Sequence, residues 1–160
     1  MTKFDTDGRV LMTLGTKGEE GPEGEPFHSP TRAVVSSSGE IYVSDGYQQN
    51  WCHRFTPDGK KLLSWGGGDP VYYQREVLGN VTGTPGTGPG EFNLPHSVVV
   101  DPKGRVLVAD RENDRVQVFD AEGGFIAQWA DIGNPYGLAI HDNRVFIADG
   151  ILNRVAITDL

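Results

Sequence analysis

Apolar positions in this chain alternate with polar ones in runs of four to six residues, and a period of two assigns strands. Three segments repeat one order of features. Pro30-Thr-Arg-Ala-Val-Val leads to Ile41-Tyr-Val-Ser-Asp45, Pro95-His-Ser-Val-Val-Val to Val106-Leu-Val-Ala-Asp110, and Pro135-Tyr-Gly-Leu-Ala-Ile to Val145-Phe-Ile-Ala-Asp149. From Pro to Asp the spacing is 15, 15 and 14 residues. After each Asp, a loop holding Asn50, Asn113 or Asn153 opens a third run, closed at Phe55 and Phe119 in the first two units. Phe4-Asp-Thr-Asp-Gly8, Phe55-Thr-Pro-Asp-Gly59 and Phe119-Asp-Ala-Glu-Gly123 place a glycine four residues after Phe, where a turn needs positive φ. Beyond these turns Arg9–Leu14, Lys61–Trp65 and Gly124–Trp129 read as a fourth strand.

Four short strands per unit, separated by Gly/Pro/Asp turns, predict an all-β chain built as blades of a β-propeller. The blades fall at 27–65 and 92–129, with an incomplete blade at 135–158 and the outer strands of a preceding or shared blade at 3–14. Residues 1–6 hold the same repeat positions as 155–160, so the chain reads as three units with a partial blade at each end. Closed rings take about 4–8 blades. The expectation is therefore either a segment of a longer propeller, with missing blades elsewhere, or a homodimer mate that closes a six-bladed ring about a two-fold axis.

Composition narrows the function. With 14 Lys+Arg against 22 Asp+Glu the net charge is -8, and no basic run with interleaved aromatics occurs, so a nucleic-acid partner is not expected. No apolar run approaches a membrane span and Met1–Gly8 has no apolar leader pattern, so the chain reads as soluble, with no membrane partner. The single Cys52 forbids a disulfide within the chain. No P-loop, dinucleotide fingerprint or Ser-His-Asp order is present.

The stretch from Gly86 to Phe119, with Phe92-Asn-Leu-Pro95-His96-Ser97, Val106-Leu-Val-Ala-Asp110-Arg111-Glu112-Asn113 and Arg115-Val-Gln-Val-Phe119, resembles NHL repeats. Together with Val43-Ser-Asp45-Gly46-Tyr47, it is similar to the lyase domain of peptidylglycine α-amidating enzymes. That resemblance implies a six-bladed propeller with an axial zinc on histidines from alternate blades and a structural calcium. It implies cleavage of a peptidyl-α-hydroxyglycine into a peptide amide and glyoxylate. It makes His96 a zinc ligand, Tyr47 the base and Arg111 the stabiliser of developing charge. The other two residues that follow the blade prolines are Thr31 and Tyr136, so further ligands are expected on blades outside this chain, which alone should show little activity.

The remaining histidines read as structural: His28 before Pro30, His53 within a strand and His141 at a turn. The long connector Gly66–Glu91, with Tyr72, Tyr73, Arg75 and Glu76, reads as a lid or a solvated loop. Asn80-Val-Thr82 fits a glycosylation acceptor, and Glu19, Glu20, Glu23 and Glu25 form an acidic loop. From another functional class, the alternative is a non-catalytic propeller that binds a peptide or protein on the face carrying Tyr47 and Tyr136.

Overall fold

The computed structural model describes residues 1–21, 25–67 and 86–160. These form antiparallel sheets, each meandering outward in chain order. The first described sheet pairs β1 (Thr2–Phe4) with β2 (Val10–Thr13). The next is β3 (Pro30–Val35), β4 (Ile41–Asp45), β5 (Trp51–Phe55) and β6 (Lys61–Gly66). It is followed by β7 (Pro95–Val100), β8 (Val106–Asp110), β9 (Arg115–Phe119) and β10 (Phe125–Trp129). The last is β11 (Pro135–His141), β12 (Arg144–Asp149) and β13 (Arg154–Asp159). The one helical turn among the described residues is a 3₁₀ turn at Arg111–Asn113. No helix of the described residues is long and apolar enough to cross a membrane.

Turn chemistry fixes the register. Gly8, Gly59 and Gly123 sit at φ of 82°, 91° and 78°, the left-handed conformation expected of them. The short third spacing has a local cause. Where the first two units turn through Gly39 and Gly104, the third closes β11 to β12 with two residues, Asp142 and Asn143, at φ of 47° and 62°. Two consecutive positive-φ residues make the tight hairpin turn that Asp and Asn tolerate, one residue shorter than its counterparts.

Alternation then sorts each strand between two seams. On β8, Val106 and Val108 face the preceding sheet, joining Tyr42, Cys52 and Trp65, while Leu107 and Ala109 face the following one, joining Leu138, Val145 and Ile147. Both faces are covered, so β8 is buried along its whole length. Arg54 ties the first seam at its rim, donating to the Ala121 carbonyl at 2.8 Å and pairing with Glu40 and Glu122. At the ends, equivalent positions stay open. Val118 is 2% exposed, whereas Ile157 at the same repeat position on β13 is 55% exposed, and Val35 on β3 is 63% exposed.

The repeated Asp explains the repeated Pro. Asp45, Asp110 and Asp149 end the second strand of their sheets with buried carboxylates. Each accepts backbone N–H groups from the residues just before the blade proline: His28 and Ser29 on Asp45, Asn93 on Asp110, and Asn134 on Asp149. One side chain thus locks the entry of the first strand to the exit of the second. The proline itself has no N–H to satisfy there.

Candidate functional site

The same end of the three larger sheets gathers the chemistry, because each first strand enters and each second strand leaves there. His96 follows Pro95 at the start of β7, Tyr47 follows Asp45-Gly46 beyond β4, Arg111 follows Asp110 beyond β8, and Tyr136 follows Pro135 on β11. Tyr47 Oη lies 3.0 Å from His96 Nε2 with the two rings edge to face, their centroids 5.6 Å apart. His96 Nδ1 lies 2.6 Å from the Tyr136 carbonyl oxygen, and the Tyr136 ring centroid is 5.3 Å from that of His96. The Arg111 guanidinium sits 4.4 Å above the Tyr136 ring. Its Nε is 2.9 Å from Glu112 Oε1, and no hydrogen bond among the described residues aligns with that buried N–H.

This geometry determines the imidazole tautomer. A carbonyl only accepts, so Nδ1 carries the proton and donates it to Tyr136, leaving Nε2 with a lone pair that accepts the Tyr47 O–H. Burial holds the His96 pKa below the usual imidazole value, and the nearby Arg111 charge lowers it further against the carbonyl bond. The folded value lies below the unfolded one, so this residue favours the fold above the unfolded pKa, and that contribution is lost as pH falls through the folded pKa.

His96 Nε2 therefore carries a lone pair that a metal ion could take, and its other nitrogen is fixed by a carbonyl. The remaining ligands are not gathered: among the described residues no group of three His, Cys, Asp or Glu is placed to hold an ion. Thr31, in the equivalent slot of the first large sheet, donates its hydroxyl to the Pro95 carbonyl at 2.8 Å and so braces the strand that carries His96.

The other histidines take structural parts. His53 is fully buried, its Nδ1 2.8 Å from Ser64 Oγ and its Nε2 3.4 Å from Asp45 Oδ2. Gln49 donates to the same carboxylate at 2.7 Å. Burial alone would raise the Asp45 pKa, but His53, Gln49 and the backbone N–H groups of His28 and Ser29 hold it below the usual carboxylate value. His28 Nε2 contacts the Gly21 carbonyl, and His141 lies exposed beside Asp142. Of the acidic loop, Glu25 pairs with Lys61 at 2.6 Å, and Glu23 lies outside the described residues. Tyr72, Tyr73, Arg75, Glu76 and Asn80 also lie outside them.

Two glycines of the site, Gly46 of the Asp-Gly-Tyr motif and Gly150, take packing roles that the sequence does not reveal. A Cβ on Gly46 would press into the backbone of Pro95, and one on Gly150 would press into the Tyr136 ring. The first contact sets the approach of Tyr47 to His96. Gly46→Ala is expected to cost about 1–3 kcal/mol from overpacking. It should also lengthen the Tyr47 to His96 contact, detectable as loss of the hydrogen-bonded Tyr47 hydroxyl proton by NMR. An unchanged proton signal would refute the role given to this glycine.

Comparison with known proteins finds a repeat and several relatives. Residues 92–119 match the NHL repeat. The chain is 35% identical over 132 residues to NHL repeat-containing protein 3 of Homo sapiens, covering 79% of this chain and 33% of that one. It is 36% identical over 121 residues to peptidyl-glycine alpha-amidating monooxygenase A of Xenopus laevis, covering 74% and 12%. It is 32% identical over 139 residues to the probable peptidyl-alpha-hydroxyglycine alpha-amidating lyase pgal-1 of Caenorhabditis elegans, covering 86% and 35%. The chain thus spans 33% of the length of the first of these relatives and less of the monooxygenase. By fold it is similar to a chain of a nidogen/laminin complex, with TM-score 0.67 at 16% identity over 98% of this chain and 50% of that one. It is also similar to a streptogramin B lyase, with TM-score 0.54 at 13% identity over 99% and 47%. At such identities the solved structures speak for the propeller fold alone.

Proposed function

We propose that these residues carry part of the axial site of a lyase-like NHL propeller, which cleaves a peptidyl-α-hydroxyglycine to a peptide amide and glyoxylate. The observation that carries this reading is the meeting of Tyr47 and His96 at 3.0 Å, with Arg111 beside them across the Tyr136 ring. The three residues come from two different sheets and are separated by up to 64 positions.

In this reading Tyr47, as phenolate, takes the proton of the substrate hydroxyl. The freed electron pair forms the carbonyl of glyoxylate as the C–N bond breaks, and the departing amide nitrogen is reprotonated from Tyr47. Arg111, held by Glu112 and the Tyr136 ring, offers a fixed positive charge to the oxygen on which negative charge develops. His96 Nε2 accepts a hydrogen bond from the Tyr47 hydroxyl in this structure, which fixes the position of the Tyr47 oxygen. A zinc ion on that lone pair would supply Lewis-acid stabilisation of the same oxygen and would replace the Tyr47 hydrogen bond. Its other ligands, in this proposal, come from missing blades of a longer chain or from a homodimer mate.

The test joins subunit count, metal and turnover. Native mass spectrometry with added zinc, followed by a glyoxylate assay on each species, is expected to find activity only in a closed, zinc-loaded ring, and little or none in a lone half-ring. A zinc-loaded ring that binds peptides ending in α-hydroxyglycine without releasing glyoxylate would overturn the lyase reading. It would favour the second one, a binding propeller, whose specific support is the row of Tyr47, His96 and Tyr136 rings across three sheets, with Tyr136 left 37% exposed.

A further inference from the structure

We propose that Tyr136 is a positioning residue that holds Arg111 for a carboxylate ligand, and that Gly150 is the seat that lets it do so. The functional weight of this inference rests on the lyase reading, but its geometry stands apart from it. Arg111 has a side chain only 13% exposed, yet its partners among the described residues are few: the adjacent Glu112 and the face of the Tyr136 ring. An ion pair with the next residue in sequence fixes little of a long side chain. A ring whose centroid lies 4.4 Å from the guanidinium carbon fixes much more, because a cation is drawn to the face of an aromatic ring and the attraction is stronger where water is excluded. Its in-plane N–H groups then stay available to an anion.

The ring is in turn fixed from behind. It packs so closely on the backbone of Gly150 that no Cβ can be added without moving it. Gly150 is itself anchored, its N–H donating to the Asn134 carbonyl at 3.2 Å while Asn134 Nδ2 donates to the Arg111 carbonyl at 2.6 Å. The 3₁₀ turn bearing Arg111 and the strand bearing Tyr136 are thereby tied through one asparagine. Nothing in this arrangement uses the Tyr136 hydroxyl, which has no hydrogen-bond partner among the described residues, so a phenylalanine should serve as well.

The probe is glyoxylate, with binding and the Arg111 Nε–Hε signal both followed by NMR on the whole chain. In the parent protein and in Tyr136→Phe, the Arg111 proton is expected to sit upfield, over the ring, with equal glyoxylate affinity. Tyr136→Leu and Gly150→Ala should both lose the upfield shift and weaken glyoxylate by about 3- to 10-fold. Added to Arg111→Gln, Tyr136→Leu should cost nothing further, since the ring acts through the guanidinium. An Arg111 signal indifferent to Tyr136→Leu, or losses that add in the double variant, would overturn the proposal. If the parent protein binds no glyoxylate, the carboxylate part of the proposal falls while the lyase reading is decided separately by the closed ring, and the Arg111 signal still decides the positioning role.

Discussion

Asp110→Ala is expected to destabilise the chain by about 3–5 kcal/mol, the penalty for stranding one member of a buried ion pair. Asp110 is fully buried and takes four donors: Asn93 N–H at 2.7 Å, Asn113 Nδ2 at 2.9 Å, Arg115 Nε at 2.7 Å and Gln117 Nε2 at 3.0 Å. Arg115 is 8% exposed in its side chain and would be left charged among carbonyls, with only the Gln128 amide oxygen and the loop carbonyls of Thr87, Gly88 and Glu91 to hold it. Asp120→Ala serves as the control. That residue caps an exposed turn through Glu122 and Gly124 N–H groups, and losing it should cost about 1 kcal/mol. Urea titration of both variants with equal slopes measures the difference. A loss of about 1 kcal/mol at Asp110 as well would mean that the repeat is held by its apolar seams and that the carboxylate lock is incidental.

The same lock makes stability depend on pH in the first large sheet. Because the folded Asp45 carboxyl lies below its unfolded value, its contribution is fully present above the unfolded carboxylate range and is lost as pH falls through the folded value.

Repetition made most of the fold legible. A glycine four residues past Phe could serve only as a left-handed turn, and an alternating run ended by Asp could serve only as a strand, three times over. Even the 14-residue spacing had a local cause in Asp142-Asn143, visible in the sequence once the hairpin turn is considered. What repetition could not carry is whatever differs between units. The Pro slots hold Thr31, His96 and Tyr136, and only the structure reveals that the first braces the Pro95 carbonyl while the third fixes both His96 and Arg111. The packing of Gly46 and Gly150 is likewise hidden from the sequence, because it lies in contacts with Pro95 and Tyr136, remote in sequence or reached across a strand pair. The alternation of its strand marks His53 as an inward-facing residue, but its tie to Asp45 and Ser64 runs across neighbouring strands and leaves no mark in spacing.

Tyr47→Phe carries the sharpest expected effect on activity. In a closed ring loaded with zinc, it should lower glyoxylate release by about 10²–10⁴-fold, the range for removing a positioned acid–base group. The phenyl ring keeps the edge-to-face contact with His96 at 5.6 Å, so packing survives and only the hydroxyl is lost. Zinc content should remain at its parent value, because the substitution removes a competitor for the Nε2 lone pair and no ligand. His96→Ala should do the reverse, releasing metal first and activity with it. Rate and metal measured on both variants therefore separate the two roles: a Tyr47→Phe ring that keeps its full rate sinks the base assignment, and an unchanged zinc content in His96→Ala sinks the ligand assignment. Because Tyr47 and His96 meet across the seam between two sheets, neither role can be tested by a variant that opens that seam. Circular dichroism and the urea midpoint must match the parent before either rate is read.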